Sequence, residues 1–569
     1  MSRRVVIGIV LVIIIVVAGV AVWILYPWKP PMEYEKTLII AIPEEPEGMD
    51  IQQITWSNEI HALIFQPLVQ VDTDMNIVPD LATRFEISED GKTITFYLPE
   101  DAKFSNGDPI TPQAIKESVW RYKTISPWAE DYAAVTDIVA VDNAAKFILS
   151  EPAPYLWAVL TTEYGGVVNA RVAEEVGNEE FNRFPVASGP YMVKEWVRGS
   201  HVVLVRNENY TTNLPFVENK GPNPYIDEII IKFVPEDLTR ISELSAGKVH
   251  VIRGVPFEYV PILKQDPDIN LYETIAPGLS YIDINMLRPP LNDSRVRKAI
   301  MLAIDRDELV SALANTTIAR YSFFAPTMVC YNESVEEYAR QVYAHDVEEA
   351  KRLLSEAGWV DTDGDGIVDK NGQPLVLELL DPYDRPALHK VAPLIQSQLA
   401  KIGIKIELRT YSMFYIGDLE EAWNFDMALE FFVWADPDIY TYQIHSEVAN
   451  ATYKNLKVDQ LLVDGRVAVN YTERTIIYSR MQQILLKDLP FIPLLVNKGY
   501  TAFSKNVQGL IIIPPYGGLI LNDVKIVKAG AQGYTLTPLY SLYLLFFGSL
   551  CLMNQKIPFS TYIRKTNLK

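Results

Sequence analysis

The sequence predicts an α/β protein assembled from several domain-sized units. Two observations carry this. Runs of β-branched and aromatic residues, bounded by Gly, Pro and Asn, alternate along the body with stretches whose apolar residues recur at helical spacing. The chain of 569 residues exceeds what one core organises, and its 49% hydrophobic and 22% charged residues are the composition of folded protein.

The elements follow in order. Residues 38–42 in "TLIIAIPEEP" read as a short buried strand closed by Pro43 and Pro46. Ile94, Phe96 and Leu98 alternate as a half-buried strand does, and Asn106-Gly107 marks a turn. Thr111 caps a helix with Pro112 at its first position and Ile115, Val119 and Tyr122 on one face. Residues 191–197 and 202–206 flank a turn at Gly199, which predicts a hairpin, and "YIDEIIIKFV" is a further strand. "SRVRKAIMLAIDRDELVSAL" predicts one helix with Val296, Ile300, Ala303 and Ile304 in a stripe. "DVEEAKRLLSEAGW" is a helix opened by the capping pair Asp346 and Glu349 and ended by Gly358. A strand at 375–380 and a helix "PLIQSQLAKIG" ending at Gly403 follow. A strand carrying Ile404, Ile406 and Leu408, a helix "ERTIIYSRMQQILLKD" and a strand "FIPLLV" complete the body.

The two ends are apolar. Arg3 and Arg4 precede an uncharged run over residues 5–25, long enough to span a bilayer with the body outside. A cleaved signal peptide with "AGVA" as its small-residue site is the alternative, and the length of the run favours an anchor. Residues 536–553 are also uncharged and just long enough to span, or form an apolar tail. Six N-x-S/T sequons lie between the ends, as suits an outward-facing body. A net charge of −21 argues against nucleic-acid binding. Two cysteines, Cys330 and Cys551, exclude a disulfide framework and a CxxC metal site.

"VDTDGDGIVDKNGQP" opens like a calcium loop, with Asp361, Asp363, Asp365 and Asp369 as oxygen ligands and Gly366 at the sixth position. The twelfth position is Gly372, so the bidentate Glu is missing, and an Asp/Gly β-turn is the simpler reading. Histidines form no HExxH or HxH pair, and there is no GxSxG, GxGxxG or GxxxxGK[ST]. No enzyme and no cofactor is expected. An extracellular hydrolase stays as the competing class, because catalytic groups converge in space rather than in sequence.

Four stretches together resemble the family-5 extracellular solute-binding proteins of ABC transporters, the oligopeptide, dipeptide and nickel-binding type. They are "IVPDLATRFEISEDGKTITFYLPEDAKFSNGDPITPQAIKES", "ASGPYMVKEWVRGSHVVLVRNENY", "NMLRPPLNDSRVRKAIMLAIDRDELV" and "AKRLLSEAGWVDTDGDGIVDKNGQPL", in the family's order across residues 37–525. The resemblance implies a two-lobed periplasmic-binding-protein-like fold with an extra domain inserted in the first lobe. Residues 32–62, 187–281 and 499–528 would form the first lobe, 63–186 the insert and 282–498 the second lobe. Residues 1–31 would form the membrane anchor and 529–569 the hydrophobic tail. It further implies an oligopeptide held between lobes by hinge closure and passed to an ABC permease with its ATPase subunits, the binder facing outside the cell membrane. An oligosaccharide receptor of the same fold is the alternative.

The resemblance also places ligand contacts. Glu45, in the segment after the first strand, matches a position that meets peptide main chain. "FFVWADPDIYTY" resembles the loop whose Asp pairs with a peptide amino terminus but is shorter after Trp434 than the family's pattern, so Asp436 or Asp438 could take that role. Trp434, Tyr440 and Tyr442 would wall the pocket or pack in the core. Dipeptide-selective members carry an Arg whose matching position here is Pro382, with Arg385 nearby but offset.

Overall fold

The computed structural model describes residues 33–448 and 451–528. The expected anchor at 1–31, the tail at 529–569 and the 536–553 run therefore lie outside the described residues. No helix among the described residues is long and apolar enough to cross a membrane. At the margins, Lys528 N donates to Glu33 O at 3.1 Å, and its Nζ meets Glu33 Oε2 at 3.1 Å.

Residues 35–526 form one compact body. Its two lobes share a twelve-stranded sheet. The first-lobe half is built on the parallel pair Thr37–Ile42 and Glu228–Phe233, with the hairpin His201–Arg206 and Tyr191–Val197 on its edge. The second-lobe half carries the parallel pair Val376–Pro382 and Lys405–Tyr411, beside Met427–Val433 and Gly278–Ile284. One strand, Phe491–Ser504, runs through both. Its first residues pair with Gly278–Ile284 and its last with Ile269–Ile275. Where its partner changes, Ala276 N donates to Asn497 O at 2.9 Å. Fourteen extended residues span roughly 48 Å, enough to cross from one lobe into the other.

The three largest of five buried apolar clusters among the described residues each gather a different part of the body. One gathers residues of 279–496, a second the 38–65 segment with 168–233 and 507–526, and a third residues 68–167. The third lies under a four-stranded sheet ordered Arg84–Ile87, Thr93–Tyr97, Ala144–Leu149, Val135–Val141, with helix Pro112–Ile125 against it.

Local chemistry explains most boundaries. The Thr111 side chain accepts from Ala114 N and Pro112 starts the helix, as its sequence predicts. Asp346 accepts from Glu349 N to cap Val347–Glu356, and Gly358 beyond it has φ +86. Two expectations are corrected. The predicted single helix over "SRVRKAIMLAIDRDELVSAL" is two, Ser294–Ala303 and Arg306–Ala312, because Ile304 turns extended and Asp305 caps the second. The helix read from Pro393 begins at Pro386 and carries Pro393 inside it.

Candidate functional site

The site lies where the second lobe meets the insert and the hairpin of strands Ile511–Ile513 and Gly518–Ile520. Backbone bonds fix the loop that follows Met427–Val433. Trp434 N donates to Pro277 O, Ala435 N to Tyr516 Oη, and Val329 N to Ala435 O, each at 2.8 Å. Trp434 packs against both the second-lobe core and the insert core. Gly91 of the insert approaches Val469 of the second lobe so closely that a methyl there would stand 2.6 Å from Val469 Cγ2. Residues 63–186 and 282–498 are thus in contact through Trp434 and at Gly91.

Between these contacts lies a cavity of about 380 Å³. Its walls are largely apolar, with Met75, Ile77, Leu149 and Trp157 from the insert, Val329 and Val469 from the second lobe, and Leu519 from the hairpin. The polar lining includes Glu163, Tyr516, Asp436 and Arg474. An apolar cavity of this size with a few convergent polar groups is what a small-solute site requires.

The charges differ in state. Asp436 and Arg474 form a bidentate pair, both contacts 2.7 Å, with each side chain only 3% exposed. Arg474 Nε donates to Gly465 O at 2.8 Å, so all three guanidinium nitrogens are occupied. Asp438 is buried and faces Arg466 at 3.4 Å. Burial pushes its carboxyl up to about 6 against the pull of Arg466. Arg466 stacks on Tyr155 of the insert, 4.4 Å from the ring centre. Asp131 of the insert, bonded by Tyr122 Oη at 2.8 Å, is also pushed up to about 6 by burial, with Asp438 adding repulsion. Glu163 is half-buried and accepts a 2.5 Å bond from Ser57 Oγ. Burial raises its carboxyl above the usual range, and the neighbouring Glu59 carboxylate adds to this.

Of the residues singled out in the sequence, Trp434 and Asp436 reach this region, and only Asp436 lines the cavity. Asp436 is held by Arg474 and Asp438 by Arg466, so neither presents a free carboxylate. Tyr440 is fully buried in the second-lobe core, its hydroxyl donating to Phe323 O. Tyr442 is exposed beside Arg466. Glu45 accepts from Trp196 Nε1 at 3.0 Å and Gly199 N at 2.9 Å, which ties the first segment to the hairpin turn. Arg385 precedes helix Pro386–Ala400 and lies over the Phe431 ring at 5.6 Å. Sequence reasoning missed Glu163, Trp157, Arg474 and Tyr516. No linear pattern marks them, although Arg474 sits in a predicted helix where a buried cation demands a partner.

Among the described residues, one group has metal-ligand proximity: Asp361, Asp363 and Asp369, with oxygens within 4.8 Å of one another. Asp365 is not part of it. The loop satisfies itself: Asp361 accepts from Gly364 N and Gly366 N, and Asp369 from Thr362 N. That is the hydrogen bonding of a turn.

Residues 76–451 match the family described as bacterial extracellular solute-binding proteins, family 5. The chain is 27% identical over 501 residues to the probable D,D-dipeptide-binding periplasmic protein DdpA of Escherichia coli K12, covering 84% of this chain and 92% of that protein. It is 23% identical over 482 residues to the oligopeptide-binding protein AppA of Bacillus subtilis, covering 80% and 84%. The fold is that of NikA from Brucella suis, solved with Fe(III)-EDTA, at TM-score 0.76 and 23% identity over 85% of this chain and all of that one. It is also that of AppA solved with a nonapeptide, at TM-score 0.71 and 22% identity over 87% of this chain and all of that one. A family match over more than half its length places the chain among the family-5 extracellular solute-binding proteins of ABC transporters, as a binding protein and not an enzyme.

Proposed function

We propose that this protein captures oligopeptides in the cavity between its lobes and insert and delivers them to an ABC permease. The observation that carries the reading is the cavity itself, about 380 Å³, apolar-walled and bounded by both sides of the hinge. Opening at the hinge admits ligand, and closure removes it from water. The lobes are proposed as residues 32–62 with 187–281 and 499–528, and 282–498, with 63–186 as the insert. Trp434 is proposed to brace the cavity, and Glu45, Arg385 and Tyr442 to act outside it. The Asp361–Asp369 turn is proposed as scaffold. Residues 5–25 are proposed to anchor the body outside the cell membrane, so that it stays beside its permease.

A thermal-shift screen of peptides, oligosaccharides and metal ions tests the reading, because a ligand that binds only the folded state raises its midpoint by mass action. Peptides are expected to shift the transition. A shift by oligosaccharides alone would overturn the peptide assignment, and turnover of a bound ligand would favour a hydrolase.

A further inference from the structure

The charged groups of the cavity are unequal. Asp436 and Arg474 neutralise each other through two 2.7 Å contacts, and the third Arg474 nitrogen is bonded to Gly465 O. The charge of that arginine is matched by Asp436 and that of the aspartate by Arg474, so neither offers an uncompensated charge to a ligand carboxylate or ammonium. Glu163 is different. It lines the same cavity from the short turn Glu163–Gly165, and no Lys, Arg or His pairs with it among the described residues. Its carboxylate accepts from the neutral Ser57 hydroxyl and from its own backbone N–H, neither of which brings a positive charge. The nearby Glu59 is already matched, to Arg253 at 2.6 Å. Glu163 therefore leaves the cavity wall with an uncompensated negative group set among apolar side chains. A half-buried carboxylate in such a setting gains most from a ligand that brings its own cation.

We propose that Glu163 is the recognition point for a primary ammonium, the amino terminus of a short peptide whose apolar side chains lie against Trp157, Leu149 and Leu519. The inference rests on the peptide reading above and deepens it. It moves ammonium recognition from the second-lobe Asp436 to the insert. One ammonium hydrogen replaces or joins the Ser57 hydroxyl at the carboxylate, and no proton transfer is required. Among the described lining residues the one cation, Arg474, is already matched by Asp436, so the opposite end of the peptide is selected mainly by shape.

The test uses the full chain, its Glu163→Gln variant, and two probes: tri-leucine and N-acetyl-tri-leucine. Calorimetry on the native chain is expected to show about 10- to 100-fold tighter binding of the free amine, the worth of one charge-assisted bond out of water. Glu163→Gln is expected to bind both probes within about three-fold of each other, with an unchanged unfolding midpoint. A structural role for Glu163 would weaken both probes together and leave their ratio intact. Retention of the ratio in the variant overturns the proposal while leaving the peptide reading in place. Failure of the native chain to bind either probe, with binding of an oligosaccharide such as maltotriose, overturns both. A third measurement guards against misfolding of the variant: hexylamine is expected to compete with tri-leucine on the native chain and hexanol is not. Equal competition by the two overturns the proposal.

Discussion

Removing one partner of the Asp436–Arg474 pair is expected to destabilise the second lobe by about 3–5 kcal/mol, the usual effect of stranding a buried charge. The structure supports the upper part of that range. Both side chains are 3% exposed, the pair is bidentate, and Arg474→Ala also leaves Gly465 O without its 2.8 Å donor. For a cooperative unit of 150–250 residues, this lowers the midpoint by roughly 6–20 °C. Replacing both residues by apolar ones, Asp436→Leu with Arg474→Met, removes two charges together. The Asp438 N–H then loses its 2.9 Å acceptor on Asp436, so recovery is partial. The coupling in the double-mutant cycle is expected to be about 2 kcal/mol or more. Urea unfolding followed by circular dichroism measures each corner. Additive effects, or less than about 1 kcal/mol for Arg474→Ala, would refute the view of this pair as a self-contained structural bridge. The double variant also separates structure from recognition: if Asp436 were the ammonium acceptor, preference for a free amino terminus would vanish with it.

Gly91→Ala is expected to weaken ligand binding about ten-fold by placing a methyl 2.6 Å from Val469 Cγ2 beside the cavity. Gly107→Ala is the control, since Gly107 shares a positive φ (+90 against +67) but has nothing within 4 Å; equal loss of affinity in both would assign the effect to backbone strain. Arg306→Lys is expected to cost about 2–4 kcal/mol in chemical denaturation, because the buried guanidinium donates to the carbonyls of Arg320, Pro493, Met301 and Ile304 and an ammonium cannot reach all of them; a change below about 1 kcal/mol would contradict this. Glu430 is held up to about 8 by burial, with Asp283 adding repulsion. Its folded form therefore keeps a proton that the unfolded chain releases near 4.5. Stability from this group falls as pH rises between those values, by at most about 1.4 kcal/mol per pH unit. Glu430→Gln is expected to flatten that slope in urea titrations from pH 5 to 8, and an unchanged slope would remove Glu430 as its source.

How legible the molecule is from its sequence depends on how local each cause is. Thr111 and Asp346 cap the helices their neighbours predict, because a cap is decided within four residues. The split at Ile304 escapes periodicity: the apolar stripe runs on through Ala303 and Ile304, while Asp305 quietly starts a new helix. Pro393 reads as a first-turn residue, yet Ala387, Leu388 and Val391 already continue the helix before it. The two lobes, with their one shared strand, follow from resemblance rather than from any local rule, since Phe491–Ser504 changes partner midway along an unbroken β-forming run.

The cavity shows where linear reasoning stops. Its polar wall is assembled from residues near 163, 436, 474 and 516, brought together only by closure of the fold. Trp434 and Asp436 of the segment "WADPDIYTY" lie beside it, and the role of each side chain turns on a partner far away in sequence. Asp436 is neutralised by an arginine 38 positions later, and Asp438 faces Arg466 in the same way. A carboxylate that is paired and one that is free look identical in a string of letters, and in a low-dielectric cavity they have opposite consequences for a ligand. Glu163, with no sequence motif around it, is the acid without a cationic partner among the described residues that line the cavity. Charge accounting across the finished cavity, rather than motif position, therefore decides which acid can recognise a cation.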